Sequence, residues 1–195
     1  MRKIIESTLV SLDGVFGDPH RWATEYFDHD AEMYALELLS EADAMLMGRQ
    51  SYEFFAAAFP HQSGDYGARI NAIHKYVFSN SLKEAKWSNS SIIRGDAVTA
   101  VRTLQQQVGK DLVIYGHGLL SQALLQHRLV SELKLWIHPL FVGSGVRLLP
   151  RRNQQQAQAR DQQNSWDRCH CRNLPTGARV TLFTRRYRDL HRASQ

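Results

Sequence analysis

Ala44-Met45-Leu46-Met47-Gly48-Arg49-Gln50-Ser51-Tyr52 is an apolar run that stops at a glycine and opens what reads as a helix. Leu112-Val113-Ile114-Tyr115-Gly116-His117-Gly118-Leu119-Leu120 repeats the arrangement later in the chain. Short, uninterrupted apolar runs bounded by turn residues fit strands buried on both faces. A strand that turns through glycine into a helix gathers bare backbone N–H groups at the positive end of the helix, which suits phosphate. Two such turns in one domain predict a ligand with more than one phosphate, and a nicotinamide dinucleotide fits.

The flanking sequence supplies the rest of an alternating pattern. Ile4 to Val10 reads as a first strand, and Ser11 to Pro19 as a loop. Asp28 or Asp30 can cap a helix that runs to about Ser40 on Met33, Tyr34, Leu36, Leu38 and Leu39. A helix from Gln50 to Ala58 stops before Pro60, and His61 to Gly67 reads as a polar loop. Tyr76–Ser79 and Ile92–Ile93 read as strands. Asp96 caps an amphipathic helix with the stripe Ala97, Val98, Val101, Leu104 and Val108, stopped by Gly109. The second glycine turn leads into a helix through Ala123, Leu124 and Leu125. Leu133, Leu135 and Ile137 alternate with Lys134, Trp136 and His138 as in a strand, and residues 178–187 form a last one.

Strands alternating with helices predict a three-layer α/β fold: a mixed, mostly parallel central sheet with helices on both faces. The last two strands, with no helix read between them, predict an antiparallel C-terminal edge. There is no repeat and no linker. Residues 1–195 therefore read as one domain, with a polar Gln/Arg-rich loop at 151–165 and a basic tail at 188–195.

Hydrophobic residues at 43% and charged residues at 22% exclude wholesale disorder. No apolar run approaches the roughly 20 residues of a membrane helix, and Met1 to Glu6 lacks a signal-peptide core. A soluble, cytoplasmic protein without membrane partners is expected. Residues 1–150 hold 14 Lys+Arg against 16 Asp+Glu, and residues 151–195 hold 10 Arg against 3 Asp. The basic balance thus belongs to the C-terminal quarter, where a solvated edge explains it more simply than nucleic-acid binding. Cys169-His170-Cys171 lacks a second ligand cluster, so no metal is expected.

Four segments together resemble the dihydrofolate-reductase-like superfamily, in particular its riboflavin-biosynthesis reductase branch, the C-terminal domain of the bifunctional deaminase-reductases. They are Ser11-Leu12-Asp13-Gly14, Asp43 through Gly48-Arg49-Gln50-Ser51 to Glu53, Lys75-Tyr76-Val77-Phe78-Ser79, and Leu129-Val130-Ser131-Glu132-Leu133 through Ile137-His138-Pro139-Leu140 to Gly143-Ser144-Gly145. The resemblance covers about residues 1–149 and resumes at 173–187.

The resemblance implies NADPH as hydride donor, with Gly48, Arg49 and Ser51 at its phosphates. It implies Ser79 and Asn80 at the adenosine ribose and 2′-phosphate, and Gly116, His117, Gly118 and Leu119 at the second phosphate turn. His117 departs from the family pattern of paired glycines. A cis bond like the family's would join Gly116 to His117, and the imidazole would offer a proton-dependent contact to phosphate. Asp30 is the expected proton-handling acid, although no acid after Trp22 has the family spacing. Asp13 is expected beside the nicotinamide, and Trp22 and Trp136 at the substrate.

The function expected is reduction of a small nitrogen heterocycle by NADPH. A pyrimidine or pterin related to riboflavin biosynthesis, such as a 5-amino-6-(5-phosphoribosylamino)uracil-like compound, is the leading class, and a homodimer is expected by analogy. A catalytically silent nucleotide- or metabolite-binding relative, and a nucleic-acid-binding protein using the basic tail, are the competing readings.

Overall fold

The computed structural model describes residues 1–148 and 179–184. Seven strands form one sheet: β1 (Ile4–Ser11), β2 (Ala42–Gly48), β3 (His74–Phe78), β4 (Ser90–Ile93), β5 (Asp111–Tyr115), β6 (Glu132–His138) and β7 (Arg179–Thr184). Their spatial order is β4-β3-β2-β5-β1-β6-β7. Five helices connect them: α1 (His29–Glu41), α2 (Arg49–Ala58), α3 (Gly64–Ala72), α4 (Ala97–Gln106) and α5 (Leu119–Gln126). Two one-turn 3-10 helices, Pro19–Arg21 and Thr24–Tyr26, lie between β1 and α1.

Every strand pair is parallel, β6 with β7 included. The expected antiparallel C-terminal edge is therefore corrected: β7 runs alongside β6, with Leu135 opposite Leu182. The expected polar loop at 61–67 is corrected too, because its second half opens α3, whose Tyr66 and Ile70 are buried. Asp28, not Asp30, caps α1, its Oδ1 accepting from Ala31 N at 3.1 Å. Asp96 caps α4 as expected, accepting from Thr99 N at 2.7 Å, and the Thr99 hydroxyl together with this backbone bond holds its carboxyl below the usual range. That helix ends at Gln106, so Val108 lies beyond its stripe and is fully exposed. The polar loop at 151–165, the basic tail at 188–195 and the Cys169-His170-Cys171 cluster lie outside the described residues.

A parallel strand buried on both faces presents alternate residues to two helix layers. On one face Ile5, Met45, Met47, Val77 and Val113 meet Ala35, Leu38 and Leu39 of α1 and Ile70 of α3. On the other, Ile4, Ala44, Leu46, Leu112 and Ile114 meet Val101 and Leu104 of α4 and Leu124 of α5. The four apolar residues before each glycine turn are thus shared between two cores. Gly116 and the other turn residues are held where these layers end.

Lys75 on β3 is fully buried. Its Nζ donates to the carbonyls of Asn71 (2.7 Å) and Ser88 (3.1 Å) and lies 4.2 Å from the Trp87 ring centroid. Burial pushes its pKa down to about 8. The unfolded chain therefore binds the proton more tightly than the native one, and stability rises with pH between about 8 and the free-lysine range near 10.4. Urea unfolding from pH 7.5 to 10 is expected to show wild type gaining about 3 kcal/mol on Lys75→Met. A difference flat across that range would contradict it.

Candidate functional site

All seven strands point their carboxyl ends to one edge, and in such sheets ligands gather outside that edge, where strand order changes direction. Here the change falls at β5, inserted between β2 and β1. The β2–β5 register pairs Ala44 with Leu112 and Met45 with Val113. The recorded pairing stops at Met45 and Val113, and continued three residues it runs Gly48 toward Gly116 at the same end of the sheet. The two glycine turns are neighbours.

Gly48 and Gly118 are the N-caps of α2 and α5, and neither helix start has a side-chain cap. The first-turn N–H groups of both helices, from Arg49, Gln50 and Ser51 and from Leu119 and Leu120, are left for a ligand or water. A Cβ on Gly48 would lie 3.9 Å from Leu120 Cβ, so the two helix starts pack side by side. Gly116 has φ +83°, a left-handed conformation suited to glycine, and its N–H is tied to Ser7 O at 2.8 Å. Gly118 has an ordinary φ of −115°. A Cβ at Gly116 or Gly118 would meet no protein atom within 4 Å.

Arg49 heads α2 and reaches across the end of β3. Its Nε donates to Glu53 Oε1 (2.7 Å) and its Nη1 to Ser81 Oγ (2.8 Å). Ser79 and Asn80 lie in the same loop. Ser79 Oγ accepts from Leu82 N (2.9 Å), and Asn80 Oδ1 accepts from Gly95 N (2.7 Å), so both side chains shape the turn. Arg94, which sequence reasoning missed, donates to the carbonyls of Asn80 (3.1 Å) and Leu82 (2.9 Å). Two guanidiniums thus stand over one exposed loop. An isolated arginine after a two-residue apolar run carries no motif that would have marked it.

His117 does not follow its expectation. No cis peptide bond occurs among the described residues, Gly116–His117 included. The imidazole turns inward, with its Nδ1 2.7 Å from Glu6 Oε1 and its side chain 8% exposed. Phe16 closes over it edge-on at 5.1 Å between ring centroids. The ring is paired with a carboxylate that is itself 0% exposed. Glu6 was not legible as its partner, being 111 residues away.

Asp13 is similarly committed. Its Oδ1 accepts from Ser11 Oγ (2.6 Å) and Val142 N (3.0 Å), and its Oδ2 from Gly143 N (3.0 Å) and Arg147 Nη1 (3.1 Å). The Ser11 bond leads these contacts in holding its carboxyl far below the usual range. Asp13 therefore clasps the loop after β1 to the loop after β6.

A second group of residues covers the face of β1 and β6 that α1 overlies. Trp136 stands opposite Leu9 in the β1–β6 register, and His138 opposite Ser11. Tyr34 of α1 packs edge-on to Trp136 at 4.8 Å, and the Phe27 ring lies parallel to it at 6.5 Å. Trp22 and Tyr26 pack edge-on to His138 at 5.6 and 5.3 Å. Trp22 Nε1 donates to Gly17 O at 2.8 Å. Asp30 is exposed, one helical turn before Tyr34, and so stands toward the rim of this aromatic cluster. The structure brings Trp22 and Trp136 into one cluster and the glycine turns into another, at the same end of the sheet. Among the described residues no group of three or more His, Cys, Asp or Glu could hold a metal ion. No helix there is long and apolar enough to cross a membrane.

An α/β sheet of this order with glycine-capped helices at its carboxyl edge is a dihydrofolate-reductase-like fold. Solved structures bear this out. The chain matches a Thermotoga maritima diaminohydroxyphosphoribosylaminopyrimidine deaminase/5-amino-6-(5-phosphoribosylamino)uracil reductase at TM-score 0.52 and 12% identity, over 75% of this chain and 47% of that one. It matches Schistosoma mansoni dihydrofolate reductase at 0.51 and 14%, over 76% and 81%. Acinetobacter baumannii RibD matches at 0.52 and 15%, over 80% and 52%. The chain thus spans about half the length of the two larger proteins. The family model for the RibD C-terminal domain matches residues 2–175, and the chain belongs to that family. A curated relative, the uncharacterized protein YyaP of Bacillus subtilis, is 28% identical over 149 residues, covering 74% of this chain and 78% of that protein.

Proposed function

We propose that this protein is an NADPH-dependent reductase of a small, flat nitrogen heterocycle of the pyrimidine or pterin class. The observation that carries the reading is the pairing of Gly48 and Gly118 as uncapped, adjacent helix starts on β2 and β5. Two neighbouring sets of bare N–H groups suit a diphosphate, whose charge the helix ends favour. Gly48, Ser51, Gly116, Gly118 and Leu119 would hold that bridge by backbone and hydroxyl contacts. Arg49 and Arg94, both hydrogen-bonded to the Ser79–Leu82 loop, would take a further phosphate at the ribose end. When bound, the dinucleotide supplies a hydride. Trp136 and Tyr34 offer ring faces for a planar acceptor, and Asp30, at the rim, is the carboxyl proposed to hold the proton.

Calorimetric titration tests this. NADPH is expected to bind with one-to-one stoichiometry. Arg94→Ala is expected to weaken NADPH about tenfold while leaving NADH nearly unchanged, since a charge-assisted bond to phosphate contributes about 1.5–3 kcal/mol. No heat with either nucleotide would sink the reading. NADPH binding without turnover of any pyrimidine or pterin would instead select the catalytically silent relative.

A further inference from the structure

His138 ends β6 with its side chain folded among aromatic rings and its residue only 8% exposed. Its Nε2 is buried and has no hydrogen-bond partner. Ser11, opposite it in the register, has its hydroxyl turned to other partners, donating to Asp13 at 2.6 Å and accepting from Val15 N at 2.9 Å. Buried polar atoms are nearly always paired, and one left open costs stability that an apolar side chain would not. Trp136, two residues earlier on the same strand, shares its face of the sheet.

The covering segment is self-contained. Among the described residues, the recorded hydrogen bonds of Asp18 to Phe27 close within residues 17–27. They include Trp22 Nε1 to Gly17 O, Thr24 Oγ1 to His20 O and Ala23 N to Pro19 O. Trp22 and Tyr26 can therefore be carried off His138 as one piece without breaking a bond to the sheet. Burial also pushes the imidazole below its ordinary pKa, so at neutral pH the ring keeps one N–H and one bare nitrogen.

We infer that His138 is a specificity-determining substrate contact, whose open ring nitrogen pairs with the polar edge of a heterocycle lying on Trp136. The inference rests on the reductase reading for its ligand class, but its test is independent of the cofactor.

The probes are 5,6-diaminouracil and 7,8-dihydrobiopterin, each titrated into wild type, His138→Leu and His138→Gln, with and without NADPH. Tryptophan fluorescence and calorimetry are read, alongside urea unfolding of the free proteins. At least one probe is expected to bind wild type. His138→Leu is expected to weaken it about tenfold or more, with part recovered in His138→Gln. The urea midpoint of unliganded His138→Leu is expected to equal or exceed that of wild type, and its NADPH affinity to be unchanged. A purely structural histidine would give the opposite: a lower midpoint with unaltered probe affinity. That result, or no binding of either probe to wild type, overturns the inference. Probe binding that depends on His138 in a protein blind to NADPH would sink the reductase reading alone.

Discussion

His117→Ala is expected to lower the unfolding free energy by about 3–5 kcal/mol, the usual consequence of stripping one member from a buried charged or hydrogen-bonded pair. Glu6 is 0% exposed, its Oε1 lies 2.7 Å from His117 Nδ1, and its Oε2 has no other partner. Without the imidazole, a carboxyl group would sit in a dry interior with nothing to accept from. For a chain of this size such a loss moves the thermal midpoint on the order of 10 °C. The double change Glu6→Leu with His117→Leu is expected to recover much of it, because removing both partners removes the desolvation cost together with the attraction. Chemical denaturation of the single and double variants checks both statements. A single variant within about 1 kcal/mol of wild type would show that the pair carries little.

Gly118→Asp is expected to move stability and ligand binding in opposite directions. Position 118 is the N-cap of α5, with an extended backbone that any residue adopts, and an added Cβ meets nothing within 4 Å. Aspartate is among the best N-caps, so the free protein is expected to be as stable as wild type or a few tenths of a kcal/mol more so. The same carboxylate would stand where a diphosphate is proposed to lie, occupying the N–H groups and repelling the ligand. A loss of NADPH affinity of about 100-fold or more, equivalent to about 2.7 kcal/mol, is expected. Calorimetry with NADPH, set beside a urea melt of the same preparation, reads both effects. Unchanged affinity would remove the second turn from the site. Neither conformation nor space demands glycine at 118, so the substitution probes the proposed ligand without disturbing the fold.

What the sequence disclosed depended on whether the cause was local. The apolar runs before Gly48 and Gly116, the stop before Pro60 and the Asp96 cap are each written within a few residues, and each stands in the structure. Helix α3 was hidden because only Tyr66 and Ile70 mark its buried face, while Gly64 and Gly67 imitate a loop. Gly67 is there for close approach, since a Cβ would fall 2.3 Å from Gln62 O. The direction of β7 was hidden because a strand's alternation is the same read either way. The site split along the same line. The backbone turns were legible, but the partners of His117, Asp13 and His138 are set by strand register across more than 100 residues. Two aspartates near one helix start, Asp28 and Asp30, could not be ranked from spacing alone. The cap geometry decided between them.

The stretch from Asp18 to Phe27 closes its hydrogen bonds within residues 17–27 while resting its rings on Trp136 and His138. A module of that kind is interchangeable. Its length and aromatic content can be rewritten, by selection or by grafting from a relative, with the seven-strand scaffold left as it stands. On the proposed function, diversification of the compound accepted, at constant architecture, is then a matter of editing ten consecutive positions.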